Sequence, residues 1–283
     1  MMLALTRREI LDRLHEKIKA GIPIVGAGAG TGLSARCEAQ GGSDLLIAYA
    51  TGRCRMAGRS SLAGRFAFGD ANGQVLDLME EIVPMAGTTP VLAGVFAQDP
   101  YRDLSRLLGE LKELGCSGVQ NIPGVGGQAA MEGQTVAEQM ERAGLGFERE
   151  TALVRRAREM DMITTPYCSQ PAHVRLMAEA GADVFVLHMG LTGRQSDKRM
   201  AVTPLDQCAE RIERLAALAL ELNGQAIVLA HGGPIVEPAD LRYLMDRCPD
   251  LHGFYGASSI ERVPVEGALA DTVRSFKRLK KNQ

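Results

Sequence analysis

Two stretches of the chain, DVFVLHMGLTG at residues 183–193 and AIVLAHGGP at residues 226–234, decide the predicted fold. Each is a short apolar run that ends in a small polar or glycine-rich patch, and a segment with helical apolar spacing follows. A repeated unit of strand, loop and helix is typical of a parallel sheet with crossover helices. The polar residues that end the strands are therefore expected to meet at one edge of that sheet.

The same unit recurs eight times along the chain. Helical apolar spacing separates the runs, as at residues 104–111 and 212–222. Eight repeats predict a (β/α)8 TIM barrel, whose catalytic groups lie on the loops after the strands. An open Rossmann-type sheet is the alternative because Gly26, Gly28 and Gly30 lie at and just after the end of the first run, but GAGAG is not GxGxxG and the expected acidic residue is missing. The eight runs are residues 23–26, 44–48, 90–95, 118–121, 162–166, 183–187, 226–230 and 253–255.

The length of 283 residues suits one barrel of about 250 residues with an extra N-terminal helix. We therefore expect a single domain, with a leading helix at residues 1–20 and the barrel at residues 21–283. Thr6 and Glu9 have the spacing of a capping box at the start of that helix.

The N-terminal segment lacks the apolar core of a signal peptide, and no apolar run reaches the roughly 18 residues of a membrane span. The sequence thus predicts no membrane contact.

Charge and cysteine content exclude further classes. The net charge is −2, and no basic run with interleaved aromatic residues is present, so no nucleic-acid partner is expected. Six cysteines without CxxC pairs indicate reduced thiols and a cytoplasmic protein. No lysine ends a strand, no zinc-ligand spacing occurs and no GxSxG elbow is present, which argues against a Schiff-base aldolase, a zinc enzyme and a serine hydrolase of that type.

Two regions have the residue types that bind small anions. Residues 52–69 hold four arginines before the first acid, Asp70, and guanidinium groups bind carboxylate or phosphate through paired hydrogen bonds. The alternative is that some of these arginines bridge subunits. The loops HGGP and GASSIER follow the seventh and eighth runs, where many barrels bind phosphate through backbone N–H groups, the alternative being tight turns. The predicted anion-binding residues are Arg53, Arg55, Gln120, Gly232, Gly233, Gly256, Ser258 and Ser259.

Acidic, imidazole and amide groups also end the predicted strands. His188 and His231 are predicted to transfer protons or to donate to an oxyanion. Asp70 and Asp99 are predicted to hold Mg²⁺, which typically takes one or two protein carboxylates, although Asp99 before Pro100 also suits a turn. The remaining predicted catalytic groups are Asn121 and Glu261, with Glu38 a weaker candidate that would have to turn inward from its helix.

Several motifs together resemble one known family, the phosphoenolpyruvate hydrolase-like or TIM-barrel signal transduction family. They are GAGTGLSARCE, the loop SDLLIAYATGRCRMAGRSSLAGRFAFGDAN, TPVLAGVFAQDPYRD, GVQNIPGVG, TTPYC, GADVFVLHMGLT and HGGPIVEPAD, followed by HGFYGASSIERVPVE. The resemblance is collinear from about residue 21 to residue 277. It implies a TIM barrel distantly similar to the phosphoenolpyruvate mutase and isocitrate lyase group, a homo-oligomer, and kinship with the C-terminal half of plant antiviral resistance proteins. Where relatives have a glycine-rich stretch after HMGLT, this chain has GRQSDKRMAVTPLD. We therefore expect the loop over the site to differ from that of the relatives in substrate or closure.

Two functions remain open from the sequence. In the first, the protein is a hydrolase or lyase that acts on a small phosphorylated or carboxylated keto-acid, with Mg²⁺ and arginines stabilising enolate charge. In the second, the barrel is a signalling module that senses an anion or binds a partner without turnover. The set of Asp99, His188 and His231 favours the enzyme, because a sensor needs the glycines and arginines but not all three of these groups.

Overall fold

The computed structural model describes residues 5–64, 69–124, 134–193 and 202–279. These ranges contain nine strands: β1 (Ile24–Ala29), β2 (Leu45–Ala48), β3 (Val91–Gly94), β4 (Gly118–Gln120), β5 (Ile163–Thr164), β6 (Tyr167–Cys168), β7 (Val184–His188), β8 (Ile227–His231) and β9 (Gly253–Gly256). The same ranges contain eleven α-helices: α1 (Arg7–Lys19), α2 (Gly32–Gln40), α3 (Ala50–Met56), α4 (Ala71–Ile82), α5 (Leu104–Glu113), α6 (Gln134–Arg142), α7 (Phe147–Glu159), α8 (Pro171–Glu179), α9 (Leu205–Leu222), α10 (Pro238–Arg247) and α11 (Arg262–Lys277).

All nine strands are parallel and form one curled sheet. Their order is β5-β4-β3-β2-β1-β9-β8-β7-β6. The two end strands, β5 and β6, are consecutive in the chain and separated only by Thr165 and Pro166. The sheet therefore curls until its two ends meet in residues 163–168, which is a TIM-barrel-like arrangement and not the open Rossmann-type sheet. Each of the eight predicted apolar runs contributes to a strand.

Apolar side chains fill both faces of the sheet. The inner cluster holds residues from facing strands, such as Ile47, Val186 and Leu229, together with Ile10 and Leu14 of α1. Two outer clusters pack the helices on the other face. Helix α1 begins at the predicted Thr6 and Glu9 capping box. It covers the N-terminal edge of the sheet, because its cations pair with carboxylates that precede strands β7 and β2.

Two glycines of β1 make room for aromatic rings and do not form a dinucleotide loop. A Cβ at Gly28 would lie 2.3 Å from the Tyr49 hydroxyl oxygen, and one at Gly26 would lie 2.8 Å from the Tyr255 ring. Both tyrosines are buried in the inner cluster. The structure thus explains these glycines by packing.

The arginine-rich segment is not the open loop that the sequence predicted. Its first part is helix α3, and residues 61–64 form a 3-10 turn. Close backbone approach fixes α3 against the end of β1, since a Cβ at Gly30 would lie 2.2 Å from the carbonyl oxygen of Gly52. Arg65 lies outside the described residues. No helix in the described part of the chain is long and apolar enough to cross a membrane.

Candidate active site

A cavity of about 790 Å³ opens at the C-terminal ends of the strands, where the sequence placed the site. It receives side chains from β6, β7 and β8 and from the segments that follow β2, β4, β7 and β9, so residues far apart in the sequence meet there. The polar groups around it are mostly hydroxyls, imidazoles and guanidinium groups. They include Tyr49, Thr51, Arg55, Arg59, Ser61, Tyr167, His188, Thr192, His231 and Ser258.

His188 and His231 form an imidazole pair at the base of this cavity. They occupy matching positions in the register of β7 and β8, and their ring centroids are 5.0 Å apart. Both are buried, with exposed fractions of 5% and 8%. The structure therefore brings together the two histidines that the sequence proposed as acid or base.

Backbone partners give the two imidazoles opposite proton positions. The backbone N–H of Gly190 donates to Nδ1 of His188 at 3.0 Å, so the ring proton of neutral His188 is on Nε2. Nδ1 of His231 lies 2.7 Å from the carbonyl oxygen of Tyr255, which can only accept, so this Nδ1 carries the proton. Neutral His188 thus has an Nε2–H donor, and neutral His231 has an Nε2 acceptor.

Tyr167 and Thr51 are site residues that the sequence reasoning missed. The Tyr167 ring lies 5.0 Å from His188 and 4.8 Å from His231, centroid to centroid. The Thr51 hydroxyl is buried and has no hydrogen-bond partner among the described residues. Thr51 follows β2 at the start of α3, and Tyr167 directly follows the fifth apolar run, so their positions near the C-terminal edge of the sheet were a usable signal.

Arg55 and Glu261 form a buried ion pair beside the cavity. Nη2 of Arg55 donates to Oε2 of Glu261 at 2.6 Å, and the two side chains are 1% and 0% exposed. Glu261 also accepts from the backbone N–H of Gly30 and the hydroxyl of Ser34. Arg55 reaches the predicted anion site, but its charge is balanced by Glu261. Glu261 is placed as the partner of Arg55 and not as an unpaired base.

Glu38 does turn inward, next to this ion pair. Its side chain is buried, and neither carboxyl oxygen has a hydrogen-bond partner in the described part of the chain. Burial, followed by the nearby charge of Glu261, raises the pKa of Glu38 to about 8. Glu38 is therefore mostly protonated at neutral pH and does not line the cavity.

Asp70 and Asp99 lie together, but at a second cavity beside β3. Arg102 donates to both carboxylates, and Asp70 also accepts from the N–H of Gly73 at the start of α4. The hydrogen bonds from Arg102 lower the pKa of Asp70. Burial opposes ionisation of Asp99, but bonds from Tyr101, Asn72 and Arg102 outweigh it and lower its pKa.

This arrangement does not fit the predicted Mg²⁺ site. Each carboxylate oxygen of Asp70 and Asp99 already accepts a hydrogen bond, and the cation between them is a guanidinium group. No group of three or more histidine, cysteine or acidic side chains in the described ranges could hold a metal ion. The bond from the Tyr101 N–H to Asp99 is that of a turn, the alternative reading of its position before Pro100.

The glycine loops after β8 and β9 pack tightly. A Cβ at Gly232 would lie 2.2 Å from the carbonyl oxygen of Gly190, and the N–H of Gly233 donates to that same oxygen. A Cβ at Gly256 would lie 2.2 Å from the Ile260 side chain. These contacts hold the two loops in place and leave anion binding there a prediction.

The two serines of the last loop differ in position. Ser258 lines the cavity, with its hydroxyl oxygen 3.5 Å from that of Ser61. Ser259 has a buried hydroxyl with no partner among the described residues, and it does not line the cavity. Only the first of the two predicted serines is therefore placed to contact a ligand in the cavity.

Three other predicted residues do not line the cavity. Arg53 is half-exposed and lies 3.6 Å from Asp77. Gln120 donates to the backbone of Thr165. Asn121 bonds to Glu150 and to the backbone of Tyr167.

Comparison with known proteins gives one family and several structures with the same fold. The sequence profile of the family described as phosphoenolpyruvate hydrolase-like matches residues 9–279. The ToMV susceptible protein tm-1(GCR26) of Solanum lycopersicum is 44% identical over 268 residues, which are 95% of this chain and 35% of the tomato protein. The chain thus spans about a third of that relative's length.

Two solved structures share the fold at low sequence identity. Oxaloacetate acetylhydrolase, solved with 3,3-difluorooxalacetate, has a TM-score of 0.62 and 16% identity, covering 98% of this chain and 88% of that one. Phosphonopyruvate hydrolase, solved with oxalate and Mg²⁺, has a TM-score of 0.60 and 15% identity, covering 97% and 88%. At this identity the likeness concerns the fold alone.

Proposed function

The chain belongs to the phosphoenolpyruvate hydrolase-like family, and from that premise we propose that it is an enzyme acting on a small keto-acid that carries a carboxylate or phosphoryl group. The observation that carries the proposal is the imidazole pair. His188 and His231 share one cavity with opposite proton positions, so one ring donates a hydrogen bond where the other accepts a proton. An acid and a base side by side suit bond cleavage next to a carbonyl group.

The cavity's own residues suit the charge that such a reaction develops. Cleavage beside a keto group places negative charge on the carbonyl oxygen, and the Nε2–H of His188 can donate to that oxygen. His231 can take the proton of an attacking water or hydroxyl through Nε2. The hydroxyl of Thr51 and the exposed guanidinium of Arg59 can bind the acid group of the substrate at the β2 side.

Mg²⁺ remains a prediction for this chain. Phosphonopyruvate hydrolase, which shares the fold, was solved with this ion. The carboxylates predicted to hold it here are bound by Arg102, so we assign no step of the reaction to the metal. Turnover measured with and without EDTA tests the requirement directly.

The test is pyruvate release from phosphoenolpyruvate and from phosphonopyruvate. We expect His231→Gln to lower kcat by about 10² or more, because proton transfer typically contributes that much. Glu148→Gln, at an exposed position of α7, is the control and should leave turnover unchanged. Absence of turnover of every three- or four-carbon phospho- or keto-acid would refute the enzyme proposal.

A non-catalytic, anion-binding module is the second candidate. One observation favours it: the acidic residues proposed for metal binding or catalysis, Asp70, Asp99 and Glu261, are all held by arginines. Oxalate is a suitable probe, and binding without turnover of any keto-acid would identify this function. Inorganic phosphate should raise the melting temperature, and loss of that rise in Gly233→Asp would place the anion at the predicted glycine loops.

The assembly and location of the protein are also proposals. We propose a homo-oligomer, because α11 has no buried residue and carries an exposed apolar stripe formed by Val265, Leu269, Val273 and Phe276.

We further propose that residues 163–168 act as one strand, which makes the sheet a (β/α)8 barrel with α1 as the extra helix. Six unpaired cysteines support a reducing, cytoplasmic location.

A further inference from the structure

The hydrogen-bond ladder between β4 and β5 ends on a side chain instead of a backbone group. The backbone N–H of Ile163 donates to the carbonyl oxygen of Ser117, and that of Thr165 donates to Val119, both at 2.9 Å. In a regular parallel ladder the next donor, Tyr167, would bond to the backbone oxygen of residue 121. Instead its N–H donates to the side-chain oxygen Oδ1 of Asn121 at 2.7 Å.

The Asn121 side chain therefore takes the place of the backbone carbonyl to which a regular parallel strand would bind Tyr167. Its Nδ2 also donates to the carbonyl oxygen of Tyr167 at 3.4 Å, so one amide group contacts both backbone polar groups of that residue. Pro166 has no N–H to support the chain at this point. The position of Tyr167 is thus set on one side by a side chain and on the other by pairing with β7.

A fully buried carboxylate orients this amide. Glu150 of α7 is 0% exposed, and its Oε2 accepts from Nδ2 of Asn121. Its Oε1 accepts from Nε2 of Gln98 at 3.1 Å. Because each carboxylate oxygen faces an amide NH₂ group, Glu150 allows only the orientation of Asn121 in which Oδ1 faces the N–H of Tyr167.

Tyr167 in turn contacts both imidazoles. Its ring meets His188 edge-on and lies tilted against His231, with centroid distances of 5.0 and 4.8 Å. A shift of the Tyr167 backbone would therefore change the surroundings of both rings at once. Neither Glu150 nor Asn121 lines the cavity, but the hydrogen bonds between Asn121 and Tyr167 connect both residues to a ring that does.

We propose that Glu150 and Asn121 are positioning residues that hold Tyr167 against the imidazole pair and so set the protonation equilibria of His188 and His231. The importance of this for catalysis rests on the proposed function, but the positioning itself does not. Asn121, predicted from the sequence as a catalytic group, acts in this proposal through the backbone of Tyr167. Glu150 acts through Asn121.

The donor and acceptor pattern allows a sharp test. In Glu150→Gln an NH₂ group would face the NH₂ group of either Asn121 or Gln98, so one hydrogen bond is lost. In Asn121→Asp two buried carboxylates would face each other. In the double variant, the NH₂ of the new amide at position 150 donates to the new carboxylate at position 121, which still accepts from Tyr167. The double variant therefore restores the hydrogen bonds of positions 150 and 121 to Gln98, to each other and to the N–H of Tyr167, and it lacks only the weak one to the Tyr167 carbonyl.

The readout is the titration of the imidazole Cε1–H signals by NMR, which needs no substrate. The chain has five histidines, and His188→Gln and His231→Gln assign the two signals. We expect each single change to move at least one titration midpoint by about half a pH unit, a threefold change in proton affinity, and the double variant to return it to the wild-type value. Glu148→Gln is the matched control on the same helix and should move neither midpoint.

Some outcomes would overturn the proposal. Single variants that lose thermal stability while both midpoints stay in place would show a purely structural role. If the single variants do not fold, the double variant decides: a folded protein with wild-type midpoints supports the proposal, and an unfolded one or altered midpoints refute it. A protein that converts no keto-acid but passes this test would refute the proposed function alone.

Discussion

The two arginines predicted from sequence to bind an anion, Arg53 and Arg55, are expected to differ greatly in their contribution to stability. Both lie on α3, two residues apart. Arg55 and Glu261 are 1% and 0% exposed, whereas Arg53 and Asp77 are 43% and 73% exposed and 3.6 Å apart. The change from arginine to methionine keeps the length of the aliphatic stem and removes the charge.

The structure sets the size of the effect. In Arg55→Met, the Glu261 carboxylate loses the bonds from Nε at 3.2 Å and Nη2 at 2.6 Å and keeps those from Gly30 and Ser34. A buried charge left without its partner costs about 3–5 kcal/mol of the free energy of unfolding. For a chain of this size, that loss lowers the melting temperature by about 5–8 °C. In Arg53→Met, the exposed pair accounts for about 0–1 kcal/mol.

Urea unfolding followed by circular dichroism measures both variants under one set of conditions, with thermal melts as a second reading. Equal losses of unfolding free energy in the two variants, or a loss below about 1 kcal/mol in Arg55→Met, would refute the reasoning. Either result means that the buried pair stabilises the protein no more than the exposed one.

Three further outcomes are expected. In the wild type, Glu38 binds its proton more tightly when folded, so its contribution to stability is complete below its ordinary pKa of 4.5 and is lost as the pH rises to about 8. Glu38→Gln should therefore raise the melting temperature at pH 8.5 more than at pH 5, and a parallel pH profile would contradict this. Leu269→Asp combined with Phe276→Asp should convert an oligomer to the 30.3 kDa monomer in light scattering, whereas a wild-type protein that is already a monomer would contradict the proposed interface. Gly28→Ala should destabilise the protein, because its Cβ would meet a tyrosine hydroxyl at 2.3 Å, while Gly109→Ala in α5 has open space and should stabilise it by about 0.5–1 kcal/mol; thermal melts that rank them in reverse would refute the packing account.

Local pattern was sufficient for eight of the nine described strands and for the imidazole pair, while β6 lies outside the eight predicted runs. Burial of a strand on both faces requires a short continuous apolar run, so the eight runs could be found without knowledge of their neighbours. Parallel strands end at one edge, which is why His188 and His231, 43 positions apart by their numbers in the chain, could be predicted to meet. In the structure their ring centroids lie 5.0 Å apart.

The roles of the charged residues could not be predicted in this way. Whether a carboxylate acts as a ligand or as an ion-pair partner depends on which cation the folded chain places beside it. Arg102 reaches Asp70 across 32 positions, and Arg55 reaches Glu261 across 206. No periodicity in the sequence records such a pairing.

The sequence by itself determined where the strands of this protein lie and at which edge of the sheet its polar groups gather, because apolar spacing is a local property. Only the tertiary structure decided which of those groups face the cavity and which neutralise one another. Asn121 shows the difference. Its place after β4 was predictable, but the hydrogen bond between its side chain and the backbone of Tyr167 depends on Glu150 of a distant helix. Hydrogen bonds and ion pairs form between whichever groups folding brings within about 3 Å, and that distance is set by packing of the whole chain.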